Sequence, residues 1–254
     1  MLRAGTSGFS YAPWRGSFYP QELPTKRWLA YYAERLPAVE INNTFYRMPK
    51  ASVLAGWAEQ VPEDFRFAIK APRRITHIKR LASVEDETNY LVDVLGALGS
   101  RLGAVLFQLP PNLKLDLERL ERFLDLLAGR VPAAFEFRHP AWSDPGVVAL
   151  LRGRGAAVCI ADVDGTPVPE AVATAPFTYV RLRRESYAAG DLAEWVARLR
   201  ALPVRDAFVF FKHEDAGVGP RLAAELLSLA GARAVSPQEP LQERRSRDDI
   251  ANSA

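Results

Sequence analysis

Polar residues lie two positions apart within stretches that otherwise resemble buried strands. In the segment VEINNTFYRMP, residues 39–49, Glu40 and Asn42 occupy positions that share one face of a strand. Glu136 and Arg138 repeat this spacing. A carboxylate or an amide on a buried face costs free energy unless it is paired. The spacing therefore predicts either a ligand site or a network of polar groups that satisfy one another.

The two glutamates, Glu40 and Glu136, are the first candidates for acid/base chemistry because both are predicted to point into the protein. Carboxylates with different neighbours can hold different pKa values, so that one serves as general acid and the other as general base. Asp162, His77 and His139 are further candidates. The reaction would be a hydrolysis or an isomerisation, and the sequence does not separate the two.

Basic residues gather after the third predicted strand, in KAPRRITHIKR, residues 70–80, which contains no acidic residue. Arginine forks and lysine point charges suit phosphate or carboxylate oxygens. The alternative is a solvated loop whose charge is neutralised by the acidic residues 85–87. The basic residues of this segment are Lys70, Arg73, Arg74, His77, Lys79 and Arg80.

Aromatic residues alternate with these charges in the predicted loops after strands one, two and five. Trp14, Tyr46 and Trp142 would offer stacking surfaces for a sugar ring or a nucleobase beside the positive charge. The alternative is that such rings pack the loops over the core. The two interpretations differ in whether the rings share a cleft with the charged residues.

The elements that must position these residues alternate regularly along the chain. Eight short apolar runs predict strands, and seven segments with apolar residues at i, i+3, i+4 and i+7 predict helices. This alternation favours a (β/α)₈ barrel of the TIM-barrel type, with an open doubly wound sheet as the alternative. The predicted strands are 2–7, 38–42, 65–70, 103–109, 133–138, 156–162, 177–183 and 207–213, and the predicted helices are 25–36, 52–61, 85–99, 116–128, 145–155, 191–202 and 220–231.

Polar side chains at the ends of nearly all the predicted strands favour the barrel, because every strand of a barrel contributes to one rim. Gln108, Arg181 and Lys212 end three of these strands. Glycine and proline in 163–176 predict an irregular connection in place of one outer helix. We expect one domain over residues 1–236, followed by a polar, poorly ordered tail over 237–254.

The composition is that of an ordinary globular protein: 254 residues, 48% hydrophobic and 25% charged. A single cysteine excludes an intramolecular disulfide and a zinc site built from cysteines. The chain shows no leader peptide and no apolar run that would span a bilayer, so we expect a cytoplasmic protein with no membrane partner. The net charge of +3 permits an anionic partner without requiring one. The sequence leaves the oligomeric state open.

Five separated segments resemble the signature blocks of the domain of unknown function 72 family, the YecE-like proteins. This resemblance implies a TIM-barrel-like fold and no established activity. Two strand ends depart from the pattern typical of that family, RLRRESY over 181–187 and FFKHED over 210–215, and both departures add positive charge. The matching segments are GTSGFSYAPWRGSFYP (5–20), VEINNTFYRMP (39–49), FAIKAPRRITHIKRL (67–81), VLFQLPP (105–111) and FEFRHPAW (135–142).

These observations predict an enzyme that acts on a small phosphorylated or carboxylated molecule at the carboxyl-terminal rim of the barrel. One alternative is a nucleic-acid-binding protein with little or no catalysis, and another is a metal-dependent hydrolase or nuclease of the endonuclease IV type. A tightly held metal is disfavoured by the many nearby cations, and the cofactor remains unknown. With Glu40 and Glu136 as the catalytic pair, the expected substrate-binding residues are Trp14, Asn42, Tyr46, Lys70, Arg73, His77, Gln108, Arg138, His139, Trp142, Arg181 and Lys212.

Overall fold

The computed structural model describes residues 1–168 and 170–231, in which eight parallel strands form a closed barrel. Consecutive strands are neighbours, and β8 closes the barrel by pairing with β1. The predicted (β/α)₈ fold is confirmed, and the predicted tail over 237–254 lies outside the described residues. The strands are β1 (Leu2–Ser7), β2 (Ala38–Ile41), β3 (Arg66–Lys70), β4 (Leu102–Gln108), β5 (Ala133–Glu136), β6 (Ala157–Asp162), β7 (Phe177–Leu182) and β8 (Asp206–Phe211).

Within the described residues, helices follow seven of the eight strands, and aspartates cap two of these helices. Asp116 accepts a hydrogen bond from the Arg119 backbone N–H and Asp144 from that of Gly146, so both helices begin where the sequence supplies a capping carboxylate. The described part of the β6–β7 connection, 163–168 and 170–176, forms no helix, as its glycine and proline content predicted. The helices are α1 (Trp28–Ala33), α2 (Ala51–Glu59), α3 (Glu85–Leu95), α4 (Leu117–Leu127), α5 (Pro145–Arg154), α6 (Ala189–Arg200) and α7 (Val218–Leu229).

Several strands end earlier than the sequence predicted, and the polar residue at their end lies in the following loop. Strand β2 ends before Asn42, β5 before Arg138 and β7 before Arg183. The backbone N–H of Arg183 still donates to the Asp162 carbonyl, so the chain continues in the direction of the strand. The side-chain alternation of the strand therefore persists one or two residues past its last regular pairing.

The interior of the barrel is packed asymmetrically below the rim. Strands β2 to β6 contribute small alanines, whereas β7 and β8 contribute large aromatic rings that fill the space opposite them. Strand β1 requires glycine at position 5 because the backbone of β2 lies very close to it. A Cβ on Gly5 would lie 1.8 Å from the Ala38 carbonyl oxygen. The interior alanines are Ala38, Ala68, Ala104, Ala134 and Ala157, and the aromatic residues are Phe177, Tyr179, Phe208 and Phe210.

The apolar contacts between strands and outer helices form the second and larger part of the core. Within residues 1–168 and 170–231, no helix has the length and apolar content needed to cross a membrane.

Candidate functional site

A layer of charged side chains lies above the aromatic and alanine layer, at the carboxyl-terminal end of the strands. Arg181 from β7 bridges the two glutamates across the barrel. Its Nη2 lies 2.9 Å from Glu40 Oε1, and its Nη1 lies 2.6 Å from Glu136 Oε2. All three side chains are buried. The predicted convergence of Glu40, Glu136 and Arg181 therefore occurs.

Glu40 is fully buried and its carboxylate receives hydrogen bonds from four residues. Ser7 Oγ and Tyr179 Oη each donate at 2.7 Å, and Asn42 Nδ2 donates at 3.0 Å, in addition to Arg181. Burial alone would raise the pKa of this carboxyl group, but the charge of Arg181 and the hydrogen bonds outweigh it and lower the pKa. Glu40 is therefore ionised at neutral pH.

Glu136 is held in a similar way, with more cations around it. Gln108 Nε2 donates to it at 2.8 Å and Arg138 Nε at 3.0 Å, while Arg183 Nη1 lies 3.7 Å away. Burial opposes ionisation, but Arg181 and Arg138 prevail and lower the pKa of Glu136 to about 2. The sequence predicted Gln108 and Arg138 at this site, and the structure brings both to the same carboxylate.

The predicted use of Glu40 and Glu136 as general acid and general base stays a prediction, and the lowered pKa of both carboxyl groups disfavours the acid role. A general acid must carry a proton near neutral pH, whereas the pKa of both carboxyl groups is lowered. The oxygens of both side chains are also occupied by donors from the protein. The two glutamates instead fix the positions of the arginines that surround them.

Lys70 ends β3 at the same layer. The Nζ of Lys70 lies 4.2 Å from the ring centroid of Phe45, which follows β2. Partial burial and the charge of Arg181 lower the pKa of Lys70 from 10.5 to about 8. Among the described residues, no carboxylate oxygen lies within 4.0 Å of this Nζ. Lys70 is thus a cation near the glutamates without being their direct ion-pair partner.

The layer carries more positive than negative charge. Glu40 and Glu136 supply two negative charges, while Lys70, Arg138, Arg181 and Arg183 supply four positive charges when Lys70 is protonated, leaving a net charge of +2. The Arg138 and Arg183 side chains remain 33% and 23% exposed, so the surplus charge faces the barrel mouth. This arrangement can attract and hold an anion.

The basic segment 70–80 contributes less free charge than its sequence suggests. It forms a π-helical turn over Arg74–Ile78, and Glu87 of α3 lies 2.6 Å from Arg74 Nε and 2.9 Å from Lys79 Nζ. This neutralisation is the alternative that the acidic residues 85–87 suggested. Arg73 is exposed and makes no hydrogen bond to either glutamate.

His77 faces the site from the same turn. Its ring packs edge-on against Phe45 at 4.8 Å, and its Nδ1 lies 2.9 Å from Thr76 Oγ1. Partial burial and the neighbouring Lys70 lower the pKa of His77. His77 is therefore a neutral, half-buried neighbour of Lys70 at neutral pH.

The structure corrects the prediction that two tryptophans bind a ligand. Trp14 is completely buried and donates through Nε1 to the Glu214 carbonyl at 3.0 Å. Trp142 is buried as well, donates to the Leu113 carbonyl at 2.7 Å and stacks on Phe137. Both indoles pack loops onto the barrel because a ring of this size gains most from full burial.

The remaining predicted residues lie at the periphery. Tyr46 is 73% exposed in the loop after β2. His139 accepts a hydrogen bond from the Ala141 backbone through Nδ1 and caps a short helical turn. Lys212 follows β8 and is exposed. Asp162 points outward, where it accepts hydrogen bonds from Arg184 and Trp195, so it belongs to the barrel–helix interface.

Two site residues escaped the sequence prediction: Ser7 and Tyr179. Both contact Glu40. Tyr179 lies two residues before Arg181, and Ser7 is paired with Glu40 across β1 and β2. Because residues two apart share one face of a strand, the alternation that predicts Arg181 also places Tyr179 on the inner face.

A cavity of about 410 Å³ opens beside the charged layer, between the loops that follow β1 and β2. Asn42 belongs to both, since it lines the cavity and donates to Glu40. Within residues 1–168 and 170–231, no three histidine, cysteine, aspartate or glutamate side chains gather in a way that could hold a metal ion.

Comparison with known proteins gives one family over nearly the whole chain. A family model described as "Protein of unknown function DUF72" matches residues 3–246. The UPF0759 protein YecE of Escherichia coli K12 is 34% identical over 125 residues, which is 49% of this chain and 46% of that protein. The chain thus spans about half the length of the curated relatives it matches.

Solved structures share the fold. A DUF72 family protein from Thermotoga maritima superposes with a TM-score of 0.76 at 24% identity, covering 91% of this chain and 99% of that chain. A DUF72 family protein from Enterococcus faecalis gives a TM-score of 0.76 at 20% identity, covering 92% and 96%. At these identities the similarity concerns the fold alone.

Proposed function

This chain belongs to the family of proteins of unknown function DUF72, and from that premise we propose that it binds a small phosphorylated or carboxylated molecule at the carboxyl-terminal rim of its barrel. The observation that carries this proposal is the surplus of positive charge in the layer around Glu136. Arg138 and Arg183 share this one carboxylate and still reach solvent. Guanidinium groups with open donors bind carboxylate and phosphate oxygens in pairs.

The two glutamates make this arrangement rigid. Arg138 is held at 3.0 Å by Glu136, which Arg181 and Gln108 hold in turn. Side chains that are already ordered lose less conformational entropy when a ligand binds. In this proposal Glu40 and Glu136 are positioning residues, and the arginines contact the ligand.

A cavity lies on the Glu40 side of the charged layer and offers space for an uncharged group. The cavity lined by Asn42, Tyr11 and Thr44 adjoins the layer through Asn42. Its lining mixes aromatic rings, hydroxyl groups and amides, which suits a small polar molecule such as a sugar.

A small anion is favoured over nucleic acid because of where the free charge lies. The outer basic turn is neutralised in part by Glu87, whereas the exposed guanidinium groups face the barrel mouth. A polyanion needs a continuous basic surface that follows several phosphates. The partly exposed guanidinium groups of Arg138 and Arg183 are instead gathered around one carboxylate.

Isothermal titration with sulfate and with glycerol 3-phosphate tests the proposal. The Arg138→Ala/Arg183→Ala double variant is expected to bind at least about tenfold more weakly, since each charge-assisted contact contributes about 1.5–3 kcal/mol. Arg122→Ala is the matched control: Arg122 lies on α4, is 67% exposed and pairs only with Glu118 among the described residues. Equal affinities in the double variant and the wild type would refute the proposal.

Titration with a single-stranded oligonucleotide distinguishes nucleic-acid binding from binding of a small anion. Tight binding of the oligonucleotide that falls steeply with salt and is lost in Arg73→Ala would favour that alternative. Binding confined to the small anions supports the proposed site.

A further inference from the structure

Lys70 differs from the other cations of the barrel mouth. Arg138, Arg181 and Arg183 each lie within 4.0 Å of Glu136. In the part of the chain that the structure describes, Lys70 has no such carboxylate partner, because the arginines already occupy the oxygens nearby. Its amine is therefore available for another interaction.

The backbone and the side chain of Lys70 are both fixed. Thr44 Oγ1 donates to the Lys70 carbonyl at 2.7 Å, and the Phe45 ring supports the amine at 4.2 Å. Lys70 is the last residue of β3, at the barrel end where the exposed arginines stand. An amine held there would meet the ligand whose anionic group those arginines bind.

The surroundings of Lys70 disfavour the protonated amine on balance. Partial burial has the largest effect and the charge of Arg181 adds to it; together they outweigh Glu40 and Glu136 and lower the pKa of Lys70 to about 8. The Phe45 ring acts in the opposite direction, since a ring face attracts the ammonium form. The titratable and charged groups that act on Lys70 are Arg181 of β7, Glu40 of β2, Glu136 of β5, Arg138 after β5 and His77 of the π-helical turn.

We propose that Lys70 forms an imine with a small anionic molecule that carries an aldehyde or ketone group. This inference rests on the proposed anion site and names the class of its ligand: Arg138 and Arg183 hold the phosphate or carboxylate, and the carbonyl carbon faces Lys70. A desolvated lysine beside other cations is the type of amine that acts as a nucleophile in proteins.

The reaction balances without an oxidant or a metal ion. The neutral Nζ adds to the carbonyl carbon, and a proton moves from nitrogen to the former carbonyl oxygen. Loss of one water, with the second nitrogen proton, leaves a C=N bond between Lys70 and the ligand. An imine withdraws electrons when protonated, so it would acidify the C–H group next to the former carbonyl.

Reductive trapping tests the inference. The wild-type protein is incubated at pH 7 with glyceraldehyde 3-phosphate and sodium cyanoborohydride, which reduces an imine to a stable secondary amine, and each lysine is then assayed by peptide mass spectrometry. At pH 7 a lysine with a pKa of about 8 carries roughly 300 times more neutral amine than one at the ordinary 10.5. A lower pKa also weakens the nucleophile, so we expect Lys70 to react about tenfold faster than Lys114 or more.

Two variants serve as controls. Lys70→Arg keeps the positive charge but cannot form an imine, so it should give no adduct at position 70 under conditions in which the wild type does. Lys114→Met removes an exposed lysine from the loop after β4 and should leave trapping at Lys70 unchanged. Circular dichroism of each variant shows that it is folded.

The pH dependence gives a second readout. The trapping rate at Lys70 should level off above about pH 8–9, because its amine is then neutral. If glycerol 3-phosphate binds but Lys70 is trapped no faster than Lys114, the imine inference is wrong and the proposed anion site is unaffected. Failure of the wild type to bind either phosphate would instead refute the proposed function itself.

Discussion

Arg181 is the residue whose replacement tests the charged layer most directly. Its guanidinium contacts both buried glutamates, at 2.9 Å and 2.6 Å. Arg181→Met preserves much of the side-chain length and removes the charge, leaving Glu40 with hydrogen bonds but no cation. Removal of one partner from a buried ion pair typically costs about 3–5 kcal/mol of unfolding free energy.

The lowered pKa of Glu136 gives a figure of the same order for that carboxylate and all of its partners together. Glu136 has a pKa of about 2 in the folded protein against the ordinary 4.5. This difference corresponds to about 3 kcal/mol of stability at neutral pH. Because the folded pKa is lowered, that stability is present above pH 4.5 and is lost as the pH falls towards 2.

In Arg181→Met the pKa of Glu40 should shift in the opposite direction. Without the guanidinium, burial dominates and we expect the pKa of Glu40 to rise above its ordinary value. The folded variant then favours the protonated carboxyl group, so its loss of stability relative to the wild type becomes smaller as the pH falls. Urea unfolding followed by circular dichroism at pH 7 and pH 5 should therefore show a smaller difference from the wild type at pH 5.

Two further variants make this experiment decisive. Adding Glu40→Gln to Arg181→Met removes the unpaired charge and should restore about 1 kcal/mol or more at pH 7. Arg122→Met on the surface of α4 should change stability by less than about 0.5 kcal/mol. An Arg181→Met deficit below about 1 kcal/mol, or one that is the same at both pH values, would refute the reasoning.

Two other predictions concern packing and ligand affinity. Gly5→Ala places a Cβ 1.8 Å from the Ala38 carbonyl oxygen, so we expect urea titrations to show a loss of several kcal/mol of stability or no folded protein. In the control Gly56→Ala the Cβ would meet no atom within 4 Å, so this variant should be stable. Equal losses of stability in the two variants would contradict the prediction. Sulfate affinity should fall between pH 6.5 and pH 9.5, because Lys70 has a pKa of about 8 and loses its positive charge over this range. Calorimetry on Lys70→Met should show that this pH dependence has disappeared.

The fold and the orientation of the site residues were predictable because both depend on local periodicity. A strand has a period of two, so Glu40, Glu136 and Arg181 could be placed on the inner face from the sequence alone. Barrel closure follows from eight such strands separated by helices. In β6 the same alternation places Cys159 inward and Asp162 outward, so Asp162, a candidate because it ends the strand, does not reach the site.

The ion pairs and the pKa values could not be predicted in this way. Arg181 on β7 meets Glu40 on β2 across the barrel, and that distance depends on how the alanines and aromatic rings below fill the interior. The burial of Trp14 and Trp142 depends on loop conformation, which no periodicity describes. The neutralisation of Arg74 by Glu87 likewise requires the turn that joins β3 to α3.

Stability alone does not require the charged layer, which supports a role for it in binding. Apolar residues of similar volume often replace a buried ion pair with no loss of stability. Here the paired charges stand at the end of the barrel where substrates bind in this fold, and they fix two arginines that remain partly exposed. A network built only to fill the barrel would have no need of a net charge of +2, since two cations would neutralise Glu40 and Glu136. Under the proposed function, the additional cations would meet the negative charge of the ligand.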